Sequence, residues 1–74
     1  MKLEQVLKGL YASEINVILS SFWDGGYNAK IGDEMNGIKG DSTLCLLNLD
    51  DVAEWLDTEA RRLYPDSDYA KKVA

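Results

Sequence analysis

The chain is poor in the residues on which most enzyme chemistry depends. Its 74 residues include no histidine, one cysteine and one proline. The absence of histidine removes the commonest general base and metal ligand, and the single cysteine, Cys45, excludes an internal disulfide. The sequence also contains no phosphate-binding glycine loop, no metal-ligand spacing and no nucleophile constellation. We therefore expect a binding protein rather than an enzyme, with no catalytic residues, no cofactor and no metal.

Long hydrophobic runs are missing as well. Residues 1–10 carry Lys2, Glu4 and Lys8 within a helical pattern, so we expect neither a signal peptide nor a membrane span. Cys45 lies in an apolar run, where a buried free thiol is the ordinary interpretation. Together these features predict a reducing, cytoplasmic setting.

Basic residues are scarce over most of the chain. Residues 1–60 hold eleven acidic and four basic residues, within a net charge of −5 for the whole chain. Such a body repels polyanions, so nucleic acid is not expected as a partner. The basic residues near the C-terminus include Arg61 and Arg62, which we interpret as complementing the dipole at the end of a helix.

The size and composition predict one small folded domain. A hydrophobic content of 46% and a charged content of 28% are ordinary globular values. A core of this size leaves only about 3 to 5 kcal/mol of net stability, which self-association would supplement. We expect the domain to occupy residues 1–65, with residues 66–74 as a tail that forms a short helical turn or is disordered. Ser67 is a candidate cap for that turn.

The stretch from Ile15 to Leu46 has the pattern of a β-hairpin followed by a third strand. Apolar residues alternate with polar ones up to a glycine turn and alternate again after it. We predict a three-residue loop, Asp24–Gly26, that pairs Trp23 with Tyr27 and holds Gly26 in the left-handed conformation. The third strand is predicted from Ile38 to Leu46.

Two amphipathic helices flank these strands. The first is predicted from Lys2 to Tyr11, and the second from Leu49 to Tyr64, with Asn48 as its N-cap and Leu47 packing as a staple against Val52. The expected fold class is α+β, a two-layer α-β-β-β-α domain. In it, two helices pack on one face of a three-stranded antiparallel sheet.

The uncovered face of this sheet provides the candidate binding residues. Ile18 and Phe22 are four residues apart on the first predicted strand and share that face, and Lys30 lies beside them on the next strand. They are either ordinary exposed residues or a protein interface, which a second copy of the chain could occupy. Trp23 and Tyr27 at the tip are either an aromatic platform for a ligand or a cross-strand pair that fixes register.

Acidic loop residues suggest one enzyme alternative. Asp33, Glu34 and Asp41 lie between predicted strands, and oxygen-rich loops are what a hard cation requires. Their spacing matches no calcium loop, so a metal-assisted hydrolase that uses these residues is the least favoured of the candidate functions.

Short motifs resemble the HicB-type antitoxin fold over about half of the chain. The segments Trp23-Asp24-Gly25-Gly26-Tyr27 and Gly40-Asp41-Ser42, followed by the acidic start of a helix at Leu49-Asp50-Asp51, occur in the order found in that family. This resemblance implies an antitoxin that binds a basic ribonuclease toxin. The whole sequence also looks like a set of small bacterial proteins of unknown function that share Phe22-Trp23-Asp24-Gly25-Gly26 and a Trp55-Leu56 helix. That resemblance implies no activity.

Overall fold

The structure, a computed structural model, describes residues 2–32 and 41–72, without the side chains of residues 41–45 and 72. Within these residues three helices and three strands follow one another along the chain. They are α1 (Leu3–Ala12), β1 (Val17–Phe22), β2 (Gly26–Ile31), β3 (Asp41–Leu46), α2 (Leu49–Leu63) and α3 (Asp68–Lys72).

The hairpin of β1 and β2 is regular and antiparallel. Its register places Leu19 opposite Ala29 and Ser21 opposite Tyr27. The loop has three residues, as predicted, but it is Trp23–Gly25. The predicted pairing of Trp23 with Tyr27 is therefore wrong. The difference shifts the register by two residues, so the predicted division of side chains between the two faces is unchanged.

Gly26 closes this loop in the backbone conformation that was predicted for it. Its φ angle is 83°, in the region where a side chain on an L-residue meets the following carbonyl oxygen. The glycine lets the chain reverse directly into β2. The prediction of a left-handed residue at this position is confirmed.

The predicted fold class, a three-stranded antiparallel sheet with two helices packed on one face, is wrong. The molecule is α+β in general, but its described residues include three helices, and its regular sheet is the two-stranded ribbon of β1 and β2. The backbone of β3 pairs along β2 on the side away from β1, with a shift in register between Tyr27 and Ala29. The ribbon does not continue as a regular third strand, because this shift breaks the one-to-one match of residues.

The core forms where α1 and α2 meet β2. α2 contacts both α1 and β2, and among the residues whose burial is described it contributes four of the nine buried apolar ones. These nine are Val6, Leu10, Ile15, Ala29, Ile31, Val52, Ala53, Leu56 and Ala60. No residue of β1 belongs to this set, so β1 is the least covered of the strands whose side chains are described.

At the ends of α2 the predicted N-cap and the basic last turn are present, but the predicted staple is not. The Asn48 side chain accepts a hydrogen bond from the Asp51 N–H at 2.8 Å, which confirms the predicted N-cap. Arg61 and Arg62 lie in the last turn, as expected for charges that complement the helix dipole. The predicted staple is wrong, because Leu47 is 81% exposed and leaves Val52 to pack in the core.

The C-terminus of α1 is closed by a Schellman motif without a glycine. The Ile15 N–H donates to the Leu10 carbonyl at 2.9 Å, and the Glu14 N–H donates to the Tyr11 carbonyl at 3.0 Å. Both Ile15 and Leu10 are buried, which supplies the apolar contact that accompanies this motif. Glu14 occupies the left-handed position with φ of 61°, where a non-glycine residue costs about 1–2 kcal/mol.

Replacing Glu14 with glycine is expected to stabilise the protein. The substitution Glu14→Gly removes the side-chain strain and should raise the free energy of unfolding by about 1 kcal/mol, or the melting temperature by about 4–8 °C. Urea unfolding followed by circular dichroism measures it. Glu14→Ala is the control, because it removes the charge but keeps the strained Cβ and should gain little. An equal gain in both variants would assign the effect to charge instead.

Candidate functional site

The tip of the hairpin exposes apolar side chains at one end of the molecule. Trp23 is 98% exposed and Phe22 is 49% exposed. Residues 21–27 line an open cleft of about 690 Å³, and Leu47 completes it from the segment that precedes α2. We call Phe22, Trp23, Tyr27 and Leu47 the hairpin-tip surface.

Tyr27 and Trp23 have different environments within this surface. Tyr27 is partly buried and packs against the core from β2, whereas Trp23 lies in the loop. The two residues therefore line the same cleft without forming the predicted cross-strand pair. Trp23 is available to a partner, and Tyr27 anchors the base of the cleft to the folded body.

Ile18 and Phe22 lie on the same face of β1, as predicted. Ile18 is 59% exposed and pairs in register with Lys30 of β2. Lys30 itself is half-buried. The three candidate interface residues are thus brought together on the face of the ribbon opposite to the buried Ala29 and Ile31.

Leu47 is the member of the hairpin-tip surface that sequence reasoning missed. Its position before the Asn48 cap suggested a staple, but the chain enters α2 with Leu47 turned away from Val52. The cleft it forms with the hairpin depends on how the start of α2 sits beside the ribbon. No local sequence signal contains that information.

A second, smaller groove lies along α2. It has a volume of about 290 Å³ and is lined by Leu46, Asp51, Glu54, Trp55 and Thr58. Trp55 is partly buried and packs against the edge of the core. The groove combines an aromatic wall with two carboxylates, which suits a basic or amphipathic side chain.

The C-terminal tail is attached to the body by a polar cluster that we call the Tyr69 clasp: Asp57, Arg61 and Tyr69. The Tyr69 hydroxyl donates to an Asp57 carboxylate oxygen at 2.5 Å, and Arg61 donates to the same carboxylate from Nε and its NH2 group at 3.0–3.2 Å. The guanidinium also lies 5.4 Å from the centre of the Tyr69 ring. Two donors, Arg61 on α2 and Tyr69 on α3, thus share the Asp57 carboxylate.

The start of α3 is fixed by Ser67 and Ser13. Ser67 Oγ accepts from the Ala70 N–H at 3.1 Å, which confirms Ser67 as a cap. The Tyr69 N–H donates to Ser13 Oγ at 2.9 Å. The first turn of α3 is therefore joined to the end of α1 as well as to α2.

The clasp shifts two pKa values in opposite directions. Burial would raise the pKa of Asp57, but hydrogen bonds from Arg61 and Tyr69 and the charge of Arg61 outweigh it and hold that pKa below 3.8. Burial and the hydrogen bond to Asp57 raise the pKa of the Tyr69 hydroxyl to about 12. The clasp therefore has a structural role, because its three side chains bond to one another and do not face an open cleft.

Gly9 provides the space for the Tyr69 ring. A Cβ atom at Gly9 would lie 2.8 Å from two atoms of that ring. The structure shows that a side chain at this position and the observed ring cannot both be accommodated without movement.

The substitution Gly9→Ala is expected to have opposite effects in two backgrounds. In the natural sequence the added methyl group displaces Tyr69 and lowers the free energy of unfolding. In a Tyr69→Ala background the methyl group meets open space, and the higher helix propensity of alanine should stabilise the protein by about 1 kcal/mol. Urea unfolding of the four proteins measures the coupling, and an identical effect of Gly9→Ala in both backgrounds would contradict the contact.

The clasp also predicts a pH dependence. Because the pKa of Tyr69 is higher in the folded state than its ordinary value of 10.0, its contribution is complete below pH 10 and is lost as the pH rises towards about 12. The lowered pKa of Asp57 gives a contribution that is present above pH 3.8 and is lost as the pH falls through the folded-state value. Tyr69→Phe should cost about 1 kcal/mol near neutral pH.

The difference in unfolding free energy between the natural protein and Tyr69→Phe, measured from pH 7 to pH 12, isolates Tyr69 from the other tyrosines. It should shrink above pH 10. A difference that stays constant to pH 12 would show that the hydroxyl does not titrate with a raised pKa.

Several predicted chemical residues lie outside the described residues. Asp33 and Glu34 fall in 33–40, and the side chains of Asp41 and Cys45 are among those that the structure does not describe. Among the residues that the structure describes, no group of three or more histidine, cysteine, aspartate or glutamate side chains is placed to hold a metal ion. The hydrolase hypothesis therefore receives no support from the described residues.

Comparisons with known proteins add no family. No family model, no curated protein and no solved structure matches this chain. Among the described residues, no helix is both long enough and apolar enough to cross a membrane. The functional proposal consequently rests on the surface of the molecule itself.

Proposed function

We propose that this chain is a small, non-enzymatic, cytoplasmic protein-interaction module that binds a protein partner through the hairpin-tip surface. The observation that carries this proposal is the exposure of Trp23, at 98%, beside the half-exposed Phe22 and the exposed Leu47. Exposed single apolar residues are ordinary, but a group of them lining one cleft is typical of a contact surface.

The energetics favour Trp23 as the anchor of such a contact. Tryptophan is enriched among the residues that dominate binding energy, because its large ring buries much apolar area with few rotatable bonds. Burying a fully exposed aromatic side chain contributes about 2–3 kcal/mol. Phe22 and Leu47 flank it and would exclude water around it.

A protein partner suits this surface better than a small molecule or a nucleic acid. Among the described residues no polar or charged side chain is buried, so the cleft lacks the preorganised polar groups that orient small ligands. Its lining includes one carboxylate, Asp24, and no basic residue. A phosphate backbone would find no positive charge there.

Site-specific photocrosslinking in cells of the source organism tests the proposal. A photoreactive phenylalanine analogue at Trp23 should crosslink the chain to protein, whereas the same analogue at Tyr11 should not. Tyr11 is a matched control, because it is an aromatic residue that is 85% exposed and lies near the end of α1, before the chain enters the other end of β1. Crosslinking that is absent at position 23, or equal at both positions, would overturn the proposed surface.

A second candidate function is inhibition of a basic protein, as in an antitoxin. It is favoured by the groove along α2, where Asp51 and Glu54 flank Trp55. Glu54 is exposed, so Glu54→Lys reverses the charge at the groove without disturbing the core. Co-purification with the product of an adjacent gene for a small basic protein, weakened by Glu54→Lys and unaffected by Gln5→Lys on α1, would support this function. Co-purification with no basic protein would count against it.

A further inference from the structure

β1 is an edge strand without the usual protection of an edge. The strand order places β2 on one side of β1, and no other strand among the described residues pairs with its second side. Natural edges are commonly guarded by lysine, proline or a bulge. Residues 16–23 contain no charged residue and no proline, and the pairing of β1 with β2 runs without a register shift.

The hydrogen-bond pattern shows which groups of β1 point outwards. The Gly32 N–H donates to the Asn16 carbonyl at 2.9 Å, so Asn16 belongs to a hydrogen-bonded pair across the ribbon. In an antiparallel pair the backbone groups alternate between the partner strand and the opposite side. The N–H and C=O groups of Val17, Leu19 and Ser21 therefore face the free edge.

The charge distribution leaves that edge as the place where a second copy of this chain can approach. Two copies with a net charge of −5 each repel one another over most of their surfaces. An uncharged strand is the element along which two copies can approach without bringing like charges together. Pairing of two β1 strands would also form hydrogen bonds with the outward-facing N–H and C=O groups, which otherwise bond to water.

We propose that two copies of this chain pair antiparallel through β1, about a two-fold axis at Leu19. This inference goes beyond the proposed function, because it assigns a partner to the edge of β1 and not to the hairpin-tip surface. Centred on Leu19, all three outward-facing residues of β1 find outward-facing partners, since Val17 lies opposite Ser21 of the second copy and Leu19 opposite itself. No other two-fold register within β1 achieves this.

The same register joins the apolar residues of the outer face. Phe22 of one copy lies opposite Asn16 of the other and diagonal to its Ile18, a distance that an aromatic side chain spans. The exposed Ile18 and Phe22 of both copies thus form one continuous patch. The two hairpin-tip surfaces lie at opposite ends of the paired strands.

Hydrogen exchange and sedimentation of the full-length natural chain test the pairing. Sedimentation equilibrium should show a monomer–dimer equilibrium. The amide protons of Val17, Leu19 and Ser21 should exchange more slowly as the protein concentration rises, by about tenfold or more, whereas exchange at Trp23 should not change. A monomer at every concentration up to about 1 mM, or a dimer without protection at these three amides, would overturn the proposal.

Two sets of variants identify the register. In a Cys45→Ser background, Leu19→Cys should form an intermolecular disulfide on oxidation. The Cα atoms of residues directly opposite in a hydrogen-bonded pair lie about 5.5 Å apart, a separation that a disulfide spans. Ser21→Cys should not, because it lies opposite Val17. Ser20→Lys should weaken dimerisation about tenfold, and Gln5→Lys, with the same change in charge, should leave it unchanged. Equal crosslinking by both cysteines would refute the Leu19 axis.

The crosslinking experiment at Trp23 separates the two proposals. Crosslinks to other proteins together with a monomeric sedimentation profile would refute the pairing and leave the interaction module standing. The absence of any crosslink from Trp23 together with a protected dimer would refute the hairpin-tip surface and leave the pairing through β1.

Discussion

Burial of β2 beneath the two long helices is the packing contact on which the rest of the structure depends. Ala29 and Ile31 on one face of β2 belong to one buried cluster with residues of α1 and α2, including Leu10 and Leu56, which are fully buried. A strand has only two faces, so fixing one face of β2 against the core fixes the other face of the hairpin towards solvent. The exposure of Ile18 and Phe22 on the outer face of the hairpin follows from this orientation.

Because the helices cover β2, β1 remains at the edge of the core. α2 contacts β2 and β3, and α1 contacts α2 and α3, so β1 contributes little to the core. Its apolar side chains at Ile18 and Phe22 remain exposed, and its outer backbone groups have no strand partner among the described residues. A chain of 74 residues has little secondary structure with which to cover the outer strand.

The C-terminal segment shows how a small domain gains stability outside its core. α3 has only five residues, too few for a stable isolated helix. It is held instead by the Tyr69 clasp, by the contact of the ring with Gly9 and by the bond from Ser13. Because these contacts join the two ends of the chain, the stability of the tail and that of α1 are coupled.

Local patterns in the sequence determined the elements that depend on neighbouring residues. The periodicity of α1 and α2, the cap at Asn48 and the positive φ angle of Gly26 were all predictable, because each depends on residues within about four positions. The separation of the hairpin side chains into two faces was also correct, since it needs only the alternation of a strand.

Only the tertiary structure decided how the separate elements contact one another. The register of the hairpin differs by two residues from the prediction, because alternation is satisfied equally by both registers and packing selects one. The sheet was predicted with a regular third strand and two helices, whereas the shift beside Tyr27 and the folding back of α3 depend on how whole elements meet. Leu47 joins the hairpin-tip surface, and Gly9 receives the Tyr69 ring, for the same reason. These contacts depend on how separate elements pack against one another, and a local sequence pattern carries no information about that packing.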